Sequence, residues 1–143
     1  MLIDKEGIKK IIPHRDPMLL IDKVLYLEEE KYIKTEFYVS SERQIFEGHF
    51  PEAPVLPGVY TVEIMAQTSD VLILSTKRYA NTIPLFIGID KVKFLKKIVP
   101  GDTILITSEI VKENKEKAIV TCEAKVYKND EVACIGNVTL AMR

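Results

Sequence analysis

After Gly58, and as far as about Lys77, neither proline nor glycine interrupts the chain. That length suits a helix of roughly 20 residues, about 30 Å long. Its apolar residues (Val59, Val62, Ile64, Met65, Ala66 and the run Val71–Leu74) fall on nearly every side. A helix that is apolar all round has to be buried all round. In a soluble chain of 143 residues, the rest of the fold must therefore wrap this one segment.

The polar exceptions on the segment form one stripe. Glu63, Gln67 and Asp70 stand at i, i+4 and i+7, with Tyr60 three residues earlier. Such a stripe is either the solvated face of the helix or a polar line facing a cleft, and its narrowness favours the cleft. Burying a carboxyl without a partner costs several kcal/mol or favours its neutral form.

The helix start adds a second signal. Pro54 and Pro57 stiffen the approach, and Pro57 suits the first helical position. Leu56 and Val55 stand where a capping Ser, Thr, Asp or Asn would be expected. The first N–H groups, from Gly58 onward, therefore lack an obvious side-chain acceptor. Water or backbone can satisfy them, or they can hold a negatively charged oxygen, which a side-chain-free Gly58 lets approach closely. Just upstream, the stretch beginning at Glu47 carries His49, a second group suited to proton transfer.

The flanking sequence supplies the wrapping. Residues 4–12 look like a short amphipathic helix ending before Pro13. Strands are predicted over residues 19–27 and 31–39, joined by a charged E-E-E turn. The second alternates clearly, with Ile33, Thr35, Phe37 and Val39 on one face. Four more strands are predicted over 83–98, 103–112, 117–127 and 131–142. P-G-D (100–102), E-N-K-E (113–116) and K-N-D (128–130) supply their turns. Two strands, one buried helix and four strands describe an α+β fold in which an antiparallel sheet curls round a long central helix.

Composition narrows the function. At 47% hydrophobic residues, a single domain spanning 1–143 has room for a core. A formal net charge of -1 and a pI near 6.2 give no support for nucleic-acid binding. No apolar run reaches 18 residues, and Asp4, Lys5 and Glu6 follow the first Met closely, so neither a membrane span nor a signal peptide is expected. The expected location is cytoplasmic. Cys122 and Cys134 lie twelve apart with no CxxC, so they are expected to be reduced packing residues, and no metal site is expected. His14, the other histidine, is expected to serve the Pro-framed P-H-R-D-P turn. Its H-R-D triplet matches that of a kinase catalytic loop, but no glycine-rich loop or D-F-G accompanies it.

Three stretches carry a family resemblance. G-H-F-P-E-A-P-V-L-P-G-V with E-I-M-A-Q (Gly48–Gln67) resembles the signature of the 3-hydroxyacyl-[acyl-carrier-protein] dehydratases of type II fatty acid synthesis, the FabZ family. Ile12–Val24 is similar to that family's N-terminal motif, and Gly88–Asp102 to its later strand and turn. The resemblance implies the hotdog fold. It also implies that His49 and Glu63, fourteen residues apart, are the catalytic pair. The Gly58 N–H would then donate to the thioester carbonyl, Gln67 would orient Glu63, and Val59 would join the substrate-binding residues. No cofactor is implied. In the family's homodimer, which can assemble further into a trimer of dimers, the histidine of one subunit meets the glutamate of the other. Glu63 separates this reading from the related dehydratase/isomerase group, which usually has aspartate there. Asp16, Met18, Ser69 and Asp70 depart from the family pattern, the last two in place of small residues.

The chemistry needs those groups. Eliminating water across C2–C3 of a 3-hydroxyacyl thioester takes a base for the C2 proton and an acid for the departing hydroxide. A histidine suits the base, a carboxyl kept neutral by apolar surroundings suits the acid, and each contributes about 10²–10⁴-fold. A backbone N–H on the thioester oxygen contributes about 2.7–4 kcal/mol. The implied partner is acyl carrier protein, an acidic protein with a phosphopantetheine arm. Lys93, Lys96 and Lys97 are candidates for steering it, with Lys77 and Arg78 at the helix end. A run of lysines also makes an ordinary solvated surface. Thioester hydrolysis and acyl binding without turnover are the alternatives on this fold.

Overall fold

A computed structural model describes residues 3–47 and 52–143 of the chain. Helix α1 (Lys5–Lys9) is followed by strands β1 (Lys23–Glu28) and β2 (Tyr32–Tyr38), then by the long helix α2 (Gly58–Leu74). Strands β3 (Pro84–Phe94), β4 (Thr103–Asn114), β5 (Ile119–Lys128) and β6 (Glu131–Met142) complete it. All pairings are antiparallel, in the order β1-β2-β4-β5-β6-β3. The sheet wraps α2, which packs on β2, β4, β5 and β6.

The expected alternation decides which face turns inward. Ile33, Thr35 and Phe37 of β2 are fully buried against the helix, and Val120, Cys122, Ala124 and Val126 of β5 repeat the pattern. From Thr61 to Leu74 every residue of α2 except Glu63 is buried. The β5–β6 turn is tight: Asn129 and Asp130 both take positive φ, 50° and 65°, between the paired Lys128 and Glu131. That conformation suits a two-residue hairpin and residues that tolerate the left-handed region.

Several boundaries move for visible reasons. Helix α2 stops at Leu74, short of Lys77, where the Ser75 and Thr76 hydroxyls donate back to the Val71 and Ile73 carbonyls. Helix α1 covers less than residues 4–12, with Asp4 capping it through the Gly7 N–H at 2.8 Å. Pro57 is the N-cap residue of α2 and Gly58 its first helical one, one position later than expected.

The largest correction is at β1, which begins at Lys23 rather than residue 19. Leu19, Leu20 and Ile21 are buried, but the Leu20 N–H donates to Gln67 Oε1 on α2 at 2.8 Å, not to a neighbouring strand. At the other edge, β3 ends at Phe94, after which the Leu95 and Lys96 N–H groups both turn onto the Ala133 carbonyl. A bulge between Asp90 and Lys93 pushes Val92 against Gly136, where an added Cβ would sit 2.5 Å from Val92 Cγ2. Only glycine fits that approach.

Candidate active site

Glu63 sits in the second turn of α2 with its side chain about a quarter exposed. Gln67, one turn on, is completely buried and fully employed. Its Nε2 donates to Glu63 Oε2 and to the Met18 carbonyl, both at 2.7 Å, while its Oε1 accepts from Leu20. The amide thus ties the loop before β1 both to the helix and to the Glu63 carboxyl. Asp70 is 2% exposed, so the Glu63–Gln67–Asp70 stripe is an interior polar line, not a solvated face.

His14 comes closer to this line than its place in a turn suggested. Arg15 donates to the carbonyls of Lys9, Ile12 and His14, which shapes the loop and carries the imidazole inward. His14 Nε2 then lies 3.7 Å from Glu63 Oε2 and 3.8 Å from Asp70 Oδ2. Burial lowers the His14 pKa, partly offset by the Glu63 charge, with Arg15 acting in the same direction as burial. Burial, reinforced by the Glu63 charge, holds Asp70 well above the usual carboxylate range. The sequence signal was only that His14 is one of two histidines; the 49 positions between it and Glu63 hid the contact.

Two hydroxyl pairs were also hidden. Thr68 Oγ1 bonds Thr35 Oγ1 of β2 at 2.8 Å, and Ser69 Oγ bonds Ser108 Oγ of β4 at 2.7 Å. Burial pushes the Cys122 thiol up to about 12 and the Cys134 thiol up to about 11, so both stay protonated. Neither is in a disulfide. Among the described residues, no group of three or more His, Cys, Asp or Glu is placed to hold a metal ion.

The start of α2 has no side-chain cap, and Gly58 faces the Phe94 ring, where an added Cβ would lie 2.9 Å away. Val55, Gly58, Phe94, Lys96 and Lys97 line a groove of about 500 Å³ there. Glu63 is five positions on, about 140° round the helix, and faces the His14–Met18 loop instead. Within one chain, then, Gly58 and Glu63 do not share a wall. Val59 is 75% exposed beside them. Lys96 is already paired with Glu131 at 2.7 Å, and Arg78 lies near Glu30 and Glu113. His49, the expected base, lies outside the described residues.

The family model described as the FabA-like domain matches residues 12–137. A 3-hydroxyacyl-[acyl-carrier-protein] dehydratase FabZ of Streptococcus pneumoniae is 41% identical over 141 residues, 99% of each chain. One from Clostridium beijerinckii is 50% identical over 113 residues, 78% of this chain and 80% of that protein. Among solved structures, the dehydratase heterocomplex ApeI:P from Xenorhabdus doucetiae superposes with a TM-score of 0.80 at 17% identity, covering 95% and 90% of the two chains. A hypothetical thioesterase with coenzyme A from Streptococcus pneumoniae gives 0.64 at 12%, covering 84% of each. At these identities the superpositions establish the hotdog fold alone.

Proposed function

Because the chain belongs to the FabZ branch of the FabA-like family, we propose that it dehydrates 3-hydroxyacyl-[acyl-carrier-protein] to the trans-2-enoyl thioester in type II fatty acid synthesis. It is a hydro-lyase. The structural observation that carries the reading is the Glu63 carboxyl, largely sheltered on a buried helix and held by Gln67 at 2.7 Å. Glu63 protonates the departing hydroxide, His49 takes the C2 proton, and the Gly58 N–H receives the thioester oxygen in a low-dielectric cleft. The acyl carrier protein brings the thioester to the groove beside Gly58, where Lys96 and Lys97 stand at the mouth and Lys93 nearby. Among the described residues no helix is long and apolar enough to cross a membrane.

The active form is a homodimer. Strand β3 pairs with β6 along one side only and exposes Leu85, Ile87, Ile89 and Phe94. An exposed apolar edge strand is a template for a second strand. It lies beside Gly58 and the exposed Val59, so a second copy there covers the groove and brings its own residues to it. Placing Gly58 and Glu63 on different walls of one chain favours that arrangement. Ile87→Lys with Ile89→Lys is expected to convert a species of twice the 16.3 kDa chain mass into one of single mass, with turnover lost. Light scattering after size exclusion reads the mass; an unsubstituted protein that is monomeric and active overturns the dimer.

The function itself is tested with the unsubstituted protein and a 3-hydroxyacyl thioester of acyl carrier protein. Ultraviolet absorbance of the conjugated enoyl product is the expected result. Release of free thiol identifies a thioesterase, and tight binding without turnover a non-catalytic acyl-binding protein.

A further inference from the structure

We propose that the chain binds a single-chain aliphatic carboxylate, of the fatty acid kind, in a second pocket where Arg43 holds the carboxylate. The pocket goes beyond the dehydration chemistry, for its lining includes none of Gly58, Glu63 and Gln67. Pro17, Met18 and Leu20 come from the loop before β1, Ile45 from a single 3₁₀ turn (Gln44–Phe46) and Tyr60 from the start of α2. With Arg43 they enclose about 520 Å³, within the roughly 300–1,000 Å³ usual for small-molecule sites. Leu20 is buried and Met18 about half exposed, so the pocket runs from the edge of the core to the surface.

Arg43 is the member that asks for a ligand. Its Nε is buried without a hydrogen-bond partner, and its guanidinium carbon lies 4.8 Å from the centre of the Phe37 ring. Phe37 is fully buried, so a permanent charge is held against the core. Among the described residues no carboxylate pairs with it. The other arginines have acceptors. Arg15 donates to three backbone carbonyls, Arg78 lies beside Glu30 and Glu113, and Arg143 donates to the Lys117 and Met142 carbonyls. An aromatic face attracts a cation but does not replace the acceptors that its N–H groups lose on leaving water. A charge drawn partly out of water is stabilised when a ligand brings the opposite charge.

The lining selects the kind of anion. A guanidinium presents a planar fork that matches the two oxygens of a carboxylate. The apolar remainder of the pocket matches an alkyl chain. Glu42, which is exposed, also lines the pocket. Its charge opposes a phosphate head, with roughly 1.5 to 2 charges at neutral pH, more than a carboxylate with one. An uncharged thioester offers Arg43 no anion, so this pocket is not the one that takes the dehydration substrate. Hydrolysis of an acyl thioester releases an acid of the required kind, and is the class of reaction that would supply the ligand.

The chain contains no tryptophan, so Gln44→Trp places a single reporter on the pocket lining. Dodecanoate titrated into that protein at neutral pH, below its micelle concentration, is expected to shift the emission to shorter wavelength. The response is expected to saturate at one molecule per chain. Adding Arg43→Met is expected to raise the dissociation constant about 10–100-fold, the loss of a charge-assisted contact. Dodecanol is expected to bind both proteins alike, as weakly as dodecanoate binds the Arg43→Met protein. Dodecyl phosphate is expected to bind less tightly than dodecanoate. If Arg43→Met does not fold, the ranking of the three ligands on the parent protein decides. Equal affinity for dodecanoate and dodecanol, or phosphate binding as tight as that of the carboxylate, overturns the proposal. So does a dissociation constant that Arg43→Met leaves unmoved. Dodecanoate binding seen by calorimetry while the tryptophan stays silent puts the ligand elsewhere, and overturns it as well.

Discussion

Glu63→Gln is expected to lower kcat/KM for 3-hydroxyacyl thioester dehydration by about 10²–10⁴-fold while the fold stays intact. Glutamine keeps the length and planarity of the side chain, and its amide oxygen can still accept from Gln67 Nε2, now 2.7 Å from Glu63 Oε2. What it lacks is a transferable proton. His49→Ala removes the proposed base and is expected to lose activity on the same scale. Mixing the two inactive proteins, unfolding them and refolding them together separates a shared site from a self-contained one. If each site takes its histidine from one subunit and its glutamate from the other, half of randomly formed dimers carry one intact site. About a quarter of the normal activity then returns. No return leaves the chemistry and removes the shared site; near-normal activity of Glu63→Gln alone removes the acid.

Gln67→Leu is expected to be the most destabilising single change at the site, by roughly 3 kcal/mol, read as a fall of about 10 °C in Tm. Leucine fills the space but abandons the buried Leu20 N–H, the Met18 carbonyl and Glu63 together. Leaving buried polar groups without partners costs more than the net contribution that their hydrogen bonds make to folding. The same variant should lower kcat about tenfold, since Glu63 loses the donor that aims it. A scan by differential calorimetry and a saturating-substrate assay check both halves. Normal stability would mean that water or a shifted loop replaces the amide.

The parts of this arrangement that obey a local rule were legible before any coordinates. Alternation along residues 31–39 put Ile33 and Phe37 on one face, the face the structure buries, and the unbroken apolar run identified α2. The G-H-F-P and E-I-M-A-Q motifs pointed to Glu63 and Gln67, which the structure joins by a hydrogen bond. What failed to show depends on partners far away in sequence. Leu19–Ile21 looked like strand because it is apolar, yet its backbone is bonded to a helix side chain. The His14–Glu63 approach and the Thr35–Thr68 and Ser69–Ser108 pairs join residues 33 to 49 positions apart, beyond the reach of periodicity. Ser69 and Asp70 were visible only as departures from a family pattern.

Gln67, Thr68 and Ser69 have one more consequence. A cylinder that is apolar on nearly every side has little reason to prefer one angle of roll in an apolar cradle, because van der Waals contact is gained almost equally at each setting. Three consecutive side chains on α2 leave it about 100° apart, and they fasten respectively to the loop at Met18 and Leu20, to Thr35 and to Ser108. Three anchors at three azimuths hold the roll like the legs of a tripod. Aliphatic residues around the helix are then free to exchange for others of similar volume without swinging the Glu63 carboxyl off its bearing.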